Sequence, residues 1–303
     1  MSLVATLICN PADPALDSTI VDGARAVLPS PGPALWLFDE VAVDIPFEGK
    51  APLKGSSDLR TIENTLRAAR GDLPIDIVVQ PRAFRRKKLF LADMDSTMIG
   101  QECIDELADF AGLKAHVAGI TERAMRGEIA FEPALRERVA LLKGLPVGIV
   151  DEVLKTRITL TPGGRELVAT MRAHGAWTSL ISGGFTLFTD AVASLIGFQE
   201  NRANRLKVAD GKLTGEVEEP ILGRAAKLAT LVELTESFDL DAIDTLVVGD
   251  GANDLGMIGE AGLGVAYRAK PTVAAAAAAR IDHGDLTALL YAQGYKREEF
   301  VGG

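Results

Sequence analysis

The sequence predicts an α/β protein: a parallel, doubly wound Rossmann-like sheet carrying an inserted helical cap, preceded by a small α+β domain with a ferredoxin-like plan. Three observations predict it. Apolar runs that end in glycine or acidic residues recur at LFLADMDST, WTSLISGG and DTLVVGDGAND, and a helical pattern follows each of the last two. Strands alternating with helices imply a parallel sheet whose ligand sits beyond the strand carboxyl ends. Residues 98–176 separate the first two runs, mostly in helical patterns, which is too long for a simple crossover. Residues 1–82 instead read as βαββαβ.

In chain order, residues 3–9 (LVATLIC), 35–38 (LWLF), 41–45 (VAVDI) and 75–79 (IDIVV) are short apolar strands. Asp13–Val27 and Asp58–Ala69 carry apolar residues at helical spacing. The basic cluster Arg82, Arg85, Arg86, Lys87 and Lys88 reads as a solvated linker, so the division falls at residues 1–82 and 83–303. A chain beginning near Arg82 is then expected to keep activity. IDELADFAGL, ITERAMRGE and EPALRERVALLKGL build a cap over roughly 99–158, able to shield a cleft from water. The Ala-rich stretch 273–280 reads as a packed helix, alanine being the best helix former.

At 303 residues the chain has room for about two domains, and its 48% apolar and 24% charged residues match a globular protein with a sizeable core. A net charge of −10 argues against a nucleic-acid partner. The start MSLVATLICNPAD lacks the features of a secretory signal, and no apolar run reaches membrane-spanning length. Two cysteines without CxxC spacing indicate neither a disulfide framework nor a thiolate metal site, so a cytoplasmic location is expected. His116, His174 and His283 are scattered singly and read as ordinary surface or core residues.

The chemistry starts at the first parallel strand. Asp93 stands at its end, two residues before Asp95, a pairing that divides phosphoryl transfer between a nucleophile and a proton carrier. Such a nucleophile needs the substrate's charge neutralised, which Mg²⁺ does with few protein ligands: the carboxylates of Asp93 and Asp250 and the backbone carbonyl of Asp95. Ser182, with the amides of Gly183 and Gly184, offers donors to phosphate oxygens at a tight turn. Lys227 is a candidate point charge, Asn253 a donor near the phosphate, and Asp254 a partner for Lys227 or a metal-bound water. The alternatives are weaker. A calcium loop would need a ligand and a glycine where Thr97 and Met98 stand, and GDGANDLG lacks dinucleotide-binding spacing.

DMDST, SGGF, Lys227 and GDGANDLGM together resemble the four motifs of the haloacid dehalogenase superfamily, in its phosphatase branch, over about Leu89 to Leu290. The resemblance implies Asp93 as nucleophile, Asp95 as general acid and then base, Asp250 as magnesium ligand, and Ser182, Gly183, Lys227 and Asn253 around the phosphate. It is closest to members that hydrolyse phosphoserine in the last step of serine biosynthesis. In those members a glutamate soon after the first motif receives the substrate amine, which falls on Glu102. The family-like stretches ITERAMRGEIAFEPALRERVALLKGLP and ANRLKVADGKLTGEV similarly place Met125, Phe131 and Arg138 at substrate-facing positions. Phosphoserine carries an ammonium and a carboxylate, so an acid and an arginine are the complementary pair. Read without the resemblance, Glu102 shares a helical face with Glu106 and Asp109, and Arg138 belongs to a surface ion pair.

Residues 1–82 resemble an ACT-type regulatory domain, read equally as an amino-acid sensor and as a structural or homodimerising module. Two other functions fit parts of the pattern. One is a phosphotransferase passing the phosphoryl group to an acceptor alcohol such as homoserine; the other is an inactive amino-acid-binding regulator.

Overall fold

The computed structural model describes residues 2–49 and 56–302. The chain opens with β1 (Ser2–Cys9), α1 (Ser18–Val27), β2 (Leu35–Phe38), β3 (Ala42–Glu48), α2 (Ser56–Arg70) and β4 (Ile75–Pro81), the expected βαββαβ order. α1 begins at Ser18 rather than Asp13 because the Asp17 carboxylate accepts from the Ile20 amide at 2.8 Å, an N-cap that fixes the first turn. The antiparallel sheet runs β2-β3-β1-β4, the strand order of a ferredoxin-like plan.

Next come β5 (Leu89–Ala92), a π turn (Met94–Met98), and the helices α3 (Cys103–Asp109), α4 (Lys114–Met125), α5 (Phe131–Ala140), α6 (Ile149–Thr156) and α7 (Gly164–Ala173). β6 (Trp177–Phe185), α8 (Thr186–Ile196), β7 (Glu200–Asn204) and the hairpin β8 (Leu206–Ala209) and β9 (Lys212–Val217) follow. The chain then runs through α9 (Arg224–Ser237), β10 (Thr245–Gly249), α10 (Leu255–Glu260), β11 (Leu263–Tyr267), α11 (Pro271–Ala276), β12 (Ala279–Ile281) and α12 (Ala288–Ala292). The Ala-rich stretch is therefore helical only to Ala276 and turns into a strand at Ala279, a correction to the single helix expected there. Among the described residues no helix is long and apolar enough to cross a membrane.

The chain forms two compact units. One comprises 1–88, 162–176 and 278–303; the other comprises 89–161 and 177–277. This grouping departs from a division at residue 82, because α7 and the C-terminal segment pack with the N-terminal sheet. β1 shows how. Its run LVATLIC is buried throughout, as expected of a strand covered on both faces. Leu7 and its neighbour Ile77 face α1 and α2, while α12 packs against β1 and α7. On β4, Asp76 takes the opposite face from Ile77 by strand alternation. Its carboxylate accepts from the amides of Asp282 at 2.8 Å, His283 at 3.1 Å and Gly284 at 2.8 Å. Gln80 Nε2 donates to the Ala292 carbonyl at 2.7 Å.

The basic cluster is likewise not a solvated linker. Arg85 pairs with buried Asp44 at 2.5 Å, Arg86 with Glu299 at 2.7 Å, and Lys87 is only 6% exposed. Removing residues 1–82 would strip the C-terminal loop of its carboxylate. Asp76→Ala isolates that loss: one buried and two part-buried amides lose their acceptor, and the protein is expected to lose about 2–4 kcal/mol of stability. A thermal melt checks this, and an unchanged midpoint would show that water replaces the carboxylate without cost.

In the second unit the five strands run parallel in the order β11-β10-β5-β6-β7. Leu89, Leu91, Ile181 and Val247 on one face pack with Leu231 and Leu234 of α9 and with Met257 and Ile258 of α10. On the other face Phe90 stacks on Phe198, ring centroids 6.1 Å apart. β5 is central, with crossovers leaving to both sides, so the crevice beyond its carboxyl end is where ligands bind in this architecture. The cap consists of α3 to α6 joined by the β8–β9 hairpin, whose Leu213 exchanges backbone hydrogen bonds with Gly144 and Leu145 at 2.9 Å each.

Candidate active site

Three strand ends converge. The Asp93 amide still pairs with the Val248 carbonyl at 3.0 Å, so its side chain leaves the sheet where the strand pairing stops. The chain then enters the π turn. Asp95 stays extended and Ser96 takes a left-handed φ of 54°, a bend that turns both aspartates toward one cavity. Strain at a non-glycine residue with positive φ persists only where surrounding contacts impose it. Here the Ser96 hydroxyl donates to Glu102 Oε1 at 2.5 Å.

Lys227 is fully buried and bridges two acids, with Nζ 2.8 Å from Asp93 and 2.7 Å from Asp254. Burial alone would push its ammonium down, but Asp254 and Asp93 outweigh that and raise it, so it stays charged. Asp254 is further fixed by the Gly251 amide at 3.1 Å, and a side chain at Gly249 would run into its carboxylate. Asp95 accepts from the Cys103 amide at 2.8 Å and the Ser182 hydroxyl at 3.2 Å. The Gly184 amide donates to the Ser182 oxygen at 2.8 Å, so of the expected phosphate donors Gly184 acts by holding Ser182.

Asp93, Asp95, Glu102, Arg138, Ser182, Gly183 and Asn253 line a cavity of about 300 Å³, and Phe131 closes one side of it. A side chain at Gly183 or Gly223 would meet the Phe131 ring at 2.9 Å or 3.1 Å, so the two glycines form its seat. The structure thus brings together the expected residues from both strand ends and cap. The side chain of Met125 lies outside the described residues.

The electrostatics are those of a site short of positive charge. Carboxylate oxygens of Asp93, Asp250 and Asp254 all lie within 4.8 Å of one another. Burial, then Asp254, push Asp93 well above the usual carboxylate range, and the same two causes push Asp250 up to about 7. Burial also raises Asp95 and Glu102, the latter with help from Asp95 and Asp250. Lys227 pairs with Asp93 and Asp254, while Asp250 receives the Thr97 hydroxyl at 3.3 Å. Three buried acids sharing one ammonium fit a divalent cation, a hard ion that takes oxygen ligands.

This arrangement sets a pH dependence. A carboxylate with a raised folded-state pKa stabilises the fold at low pH, and that contribution is lost as pH rises from about 4 through the folded value near 7. The metal-free protein should therefore melt lower at about pH 8 than at about pH 5, and Mg²⁺ should raise the midpoint more at the higher pH, on the order of 5 °C. Chelator-treated protein melted with and without MgCl₂ checks it. An equal effect at both pH values would contradict a cation replacing protons on these acids.

Four residues with site roles escaped the sequence reading. Ser96 and Thr97 hold Glu102 and Asp250. Thr121 bonds to Arg138 at 2.9 Å. Buried Asn204 ties the Gly183 carbonyl, at 2.9 Å, to Leu222 ahead of α9, fixing relative to Lys227 the Ser182–Gly184 segment, which is the extended end of β6 rather than the tight turn expected from its glycines.

Residues 90–258 match the model of the haloacid dehalogenase-like hydrolase family. A protein of Polaromonas sp. named phosphoserine phosphatase is 48% identical over 208 residues, covering 67% of this chain and 88% of its own. A solved structure of a phospho-aspartyl intermediate analogue of phosphoserine phosphatase superposes with a TM-score of 0.65 at 41% identity, covering 68% of this chain and 98% of the other. A HAD family hydrolase from Salmonella enterica serovar Typhi covers 96% of this chain and 97% of its own, with a TM-score of 0.80 at 26% identity. With three of the motifs lining one cavity, Lys227 bonded to Asp93 behind it, and the family match spanning all four, the chain belongs to the haloacid dehalogenase-like hydrolases.

Proposed function

We propose that this chain is a phosphoserine phosphatase, hydrolysing O-phosphoserine to serine and phosphate through a phosphoryl group carried on Asp93, the last step of serine biosynthesis. The observation that carries the substrate is the pairing of Glu102 and Arg138 on the wall of the cavity that holds Asp93 and Asp95. Arg138 is only 6% exposed, and burial pulls its guanidinium down despite the pull of Glu102 and Asp105 in the other direction. A buried cation of this kind calls for an anionic ligand. Glu102 receives the ammonium.

Asp93 attacks phosphorus, and the bond from phosphorus to the serine oxygen breaks as Asp95 protonates the departing alkoxide. Asp95 then takes a proton from water, which attacks phosphorus and releases Asp93. Burial raises Asp95, which suits a group that must hold a proton before giving it. Ser182, Gly183, Lys227 and Asn253 surround the phosphate. Mg²⁺, held by Asp93, the backbone carbonyl of Asp95 and Asp250, would supply charge neutralisation on the phosphoryl oxygens. The cap over about 99–158 excludes water from this chemistry.

Residues 1–82 serve as a sensor of an amino acid or as a homodimerising module, and both cysteines, free and buried, suit a cytoplasmic protein. The test is phosphate release from a panel of phosphorylated amino acids with Mg²⁺, with and without an acceptor alcohol. Phosphoserine should be the best substrate. Transfer to the alcohol in preference to water would replace the phosphatase with a phosphotransferase.

A further inference from the structure

Arg138 is held by more than its own helix. Its Nε donates to the Ala134 carbonyl at 3.1 Å, one turn back on α5, and its Nη1 donates to the Thr121 hydroxyl at 2.9 Å on α4. Thr121 is 4% exposed and lines the cavity. Its hydroxyl proton has two acceptors in reach, Asp105 Oδ1 on α3 at 2.9 Å and the Val117 carbonyl at 3.1 Å. The carboxylate is the nearer and the charged one, so it takes the proton. Three cap helices are thereby joined by one chain of hydrogen bonds, the guanidinium donating to the hydroxyl and the hydroxyl to the carboxylate.

We infer that Asp105 and Thr121 are positioning residues that aim Arg138 at the substrate carboxylate and so set preference for an amino-acid phosphate over simpler esters. The inference rests on the reading of Arg138 as the carboxylate receptor. A hydroxyl suits the role better than a direct ion pair. Were Asp105 bonded to the guanidinium itself, the substrate's carboxylate would have to displace a protein carboxylate. Through Thr121, the acid acts on Arg138 electrostatically and fixes its Nη1 edge. Nη2 is left without a protein hydrogen bond among the described residues. A planar fork held at two of its nitrogens loses little freedom when a carboxylate binds.

The test compares kcat/KM for phosphoserine with that for an aryl phosphate, on the full chain with Mg²⁺. Thr121→Val keeps the shape and removes the hydroxyl; it should lower the phosphoserine to aryl-phosphate ratio about tenfold, chiefly through KM. Thr121→Ser restores the hydroxyl and should bring the ratio back to within about threefold of the unmutated protein. Asp105→Asn should lie between them. An unchanged ratio in Thr121→Val, or an equal decline on both substrates, overturns the inference, as does a serine variant as poor as valine. Arg138→Ala separates the two levels. If it lowers the ratio while Thr121→Val does not, the positioning role alone fails; if it leaves the ratio unchanged, the carboxylate reading falls and the inference with it.

Discussion

Asp93→Asn is expected to lower phosphate release by at least about a thousandfold, because an amide oxygen is a poor nucleophile and a weaker ligand for a hard cation. The same substitution should leave the fold intact. Burial and Asp254 hold Asp93 well above the usual carboxylate range, so the ionised side chain is a cost to the metal-free native state at neutral pH. Asparagine removes that cost, and the melting midpoint of the metal-free variant should equal or exceed that of the parent. Loss of turnover without loss of stability separates chemistry from folding. Near-normal turnover by purified Asp93→Asn would sink the covalent mechanism.

Glu102→Gln and Arg138→Ala should each cost phosphoserine hydrolysis roughly thirtyfold to several thousandfold in kcat/KM. Each leaves one charge of the substrate without a partner in a closed cleft, a loss on the order of 2–5 kcal/mol. Aryl phosphates carry neither the ammonium nor the carboxylate, so their hydrolysis should fall far less. Glu102 has a further dependence, since the Ser96 hydroxyl donates to it from a strained turn. Decline of both substrates in parallel, or an unmutated protein no better on phosphoserine than on an aryl phosphate, would leave phosphatase chemistry standing without this substrate.

What the sequence made legible follows from burial. Strands covered on both faces, such as LVATLIC, LFLA and TLVV, appear in the sequence as nearly unbroken apolar runs. β7 reads ENRAN and fully buries only Asn204, so hydrophobic pattern carries no trace of it. The β8–β9 hairpin did leave a signal. Asp210 and Gly211 both take positive φ, 49° and 71°, and an Asp-Gly pair between strand-like residues is a strong hairpin cue. Lys87 and Arg85 read as solvated because charge usually is, whereas their partners lie in β3 and in the turn around Phe84.

The candidate site divides along the same line. Acids at strand ends and the SGG that closes β6 are visible because their residue types are costly to place there without a chemical use. Thr97, Thr121 and Asn204 are ordinary residues whose roles come from tertiary contact. Thr97 meets Asp250 across 153 positions of sequence, and Arg138 meets Thr121 across 17. Arg138 sits beside Arg136 and Glu137 in sequence, which suggests a surface ion pair, but it lies on the buried face of α5 with Ala134, Leu135 and Val139.

The central claim is that Asp93 itself carries the phosphoryl group, and acid-quenched mass spectrometry during turnover of phosphoserine with Mg²⁺ tests it most directly. The account predicts one phosphoryl group on the peptide containing Asp93, present within the first turnovers and absent from Asp93→Asn. Phosphate release at full rate with that peptide unmodified, or with the phosphoryl group on another residue, would contradict it.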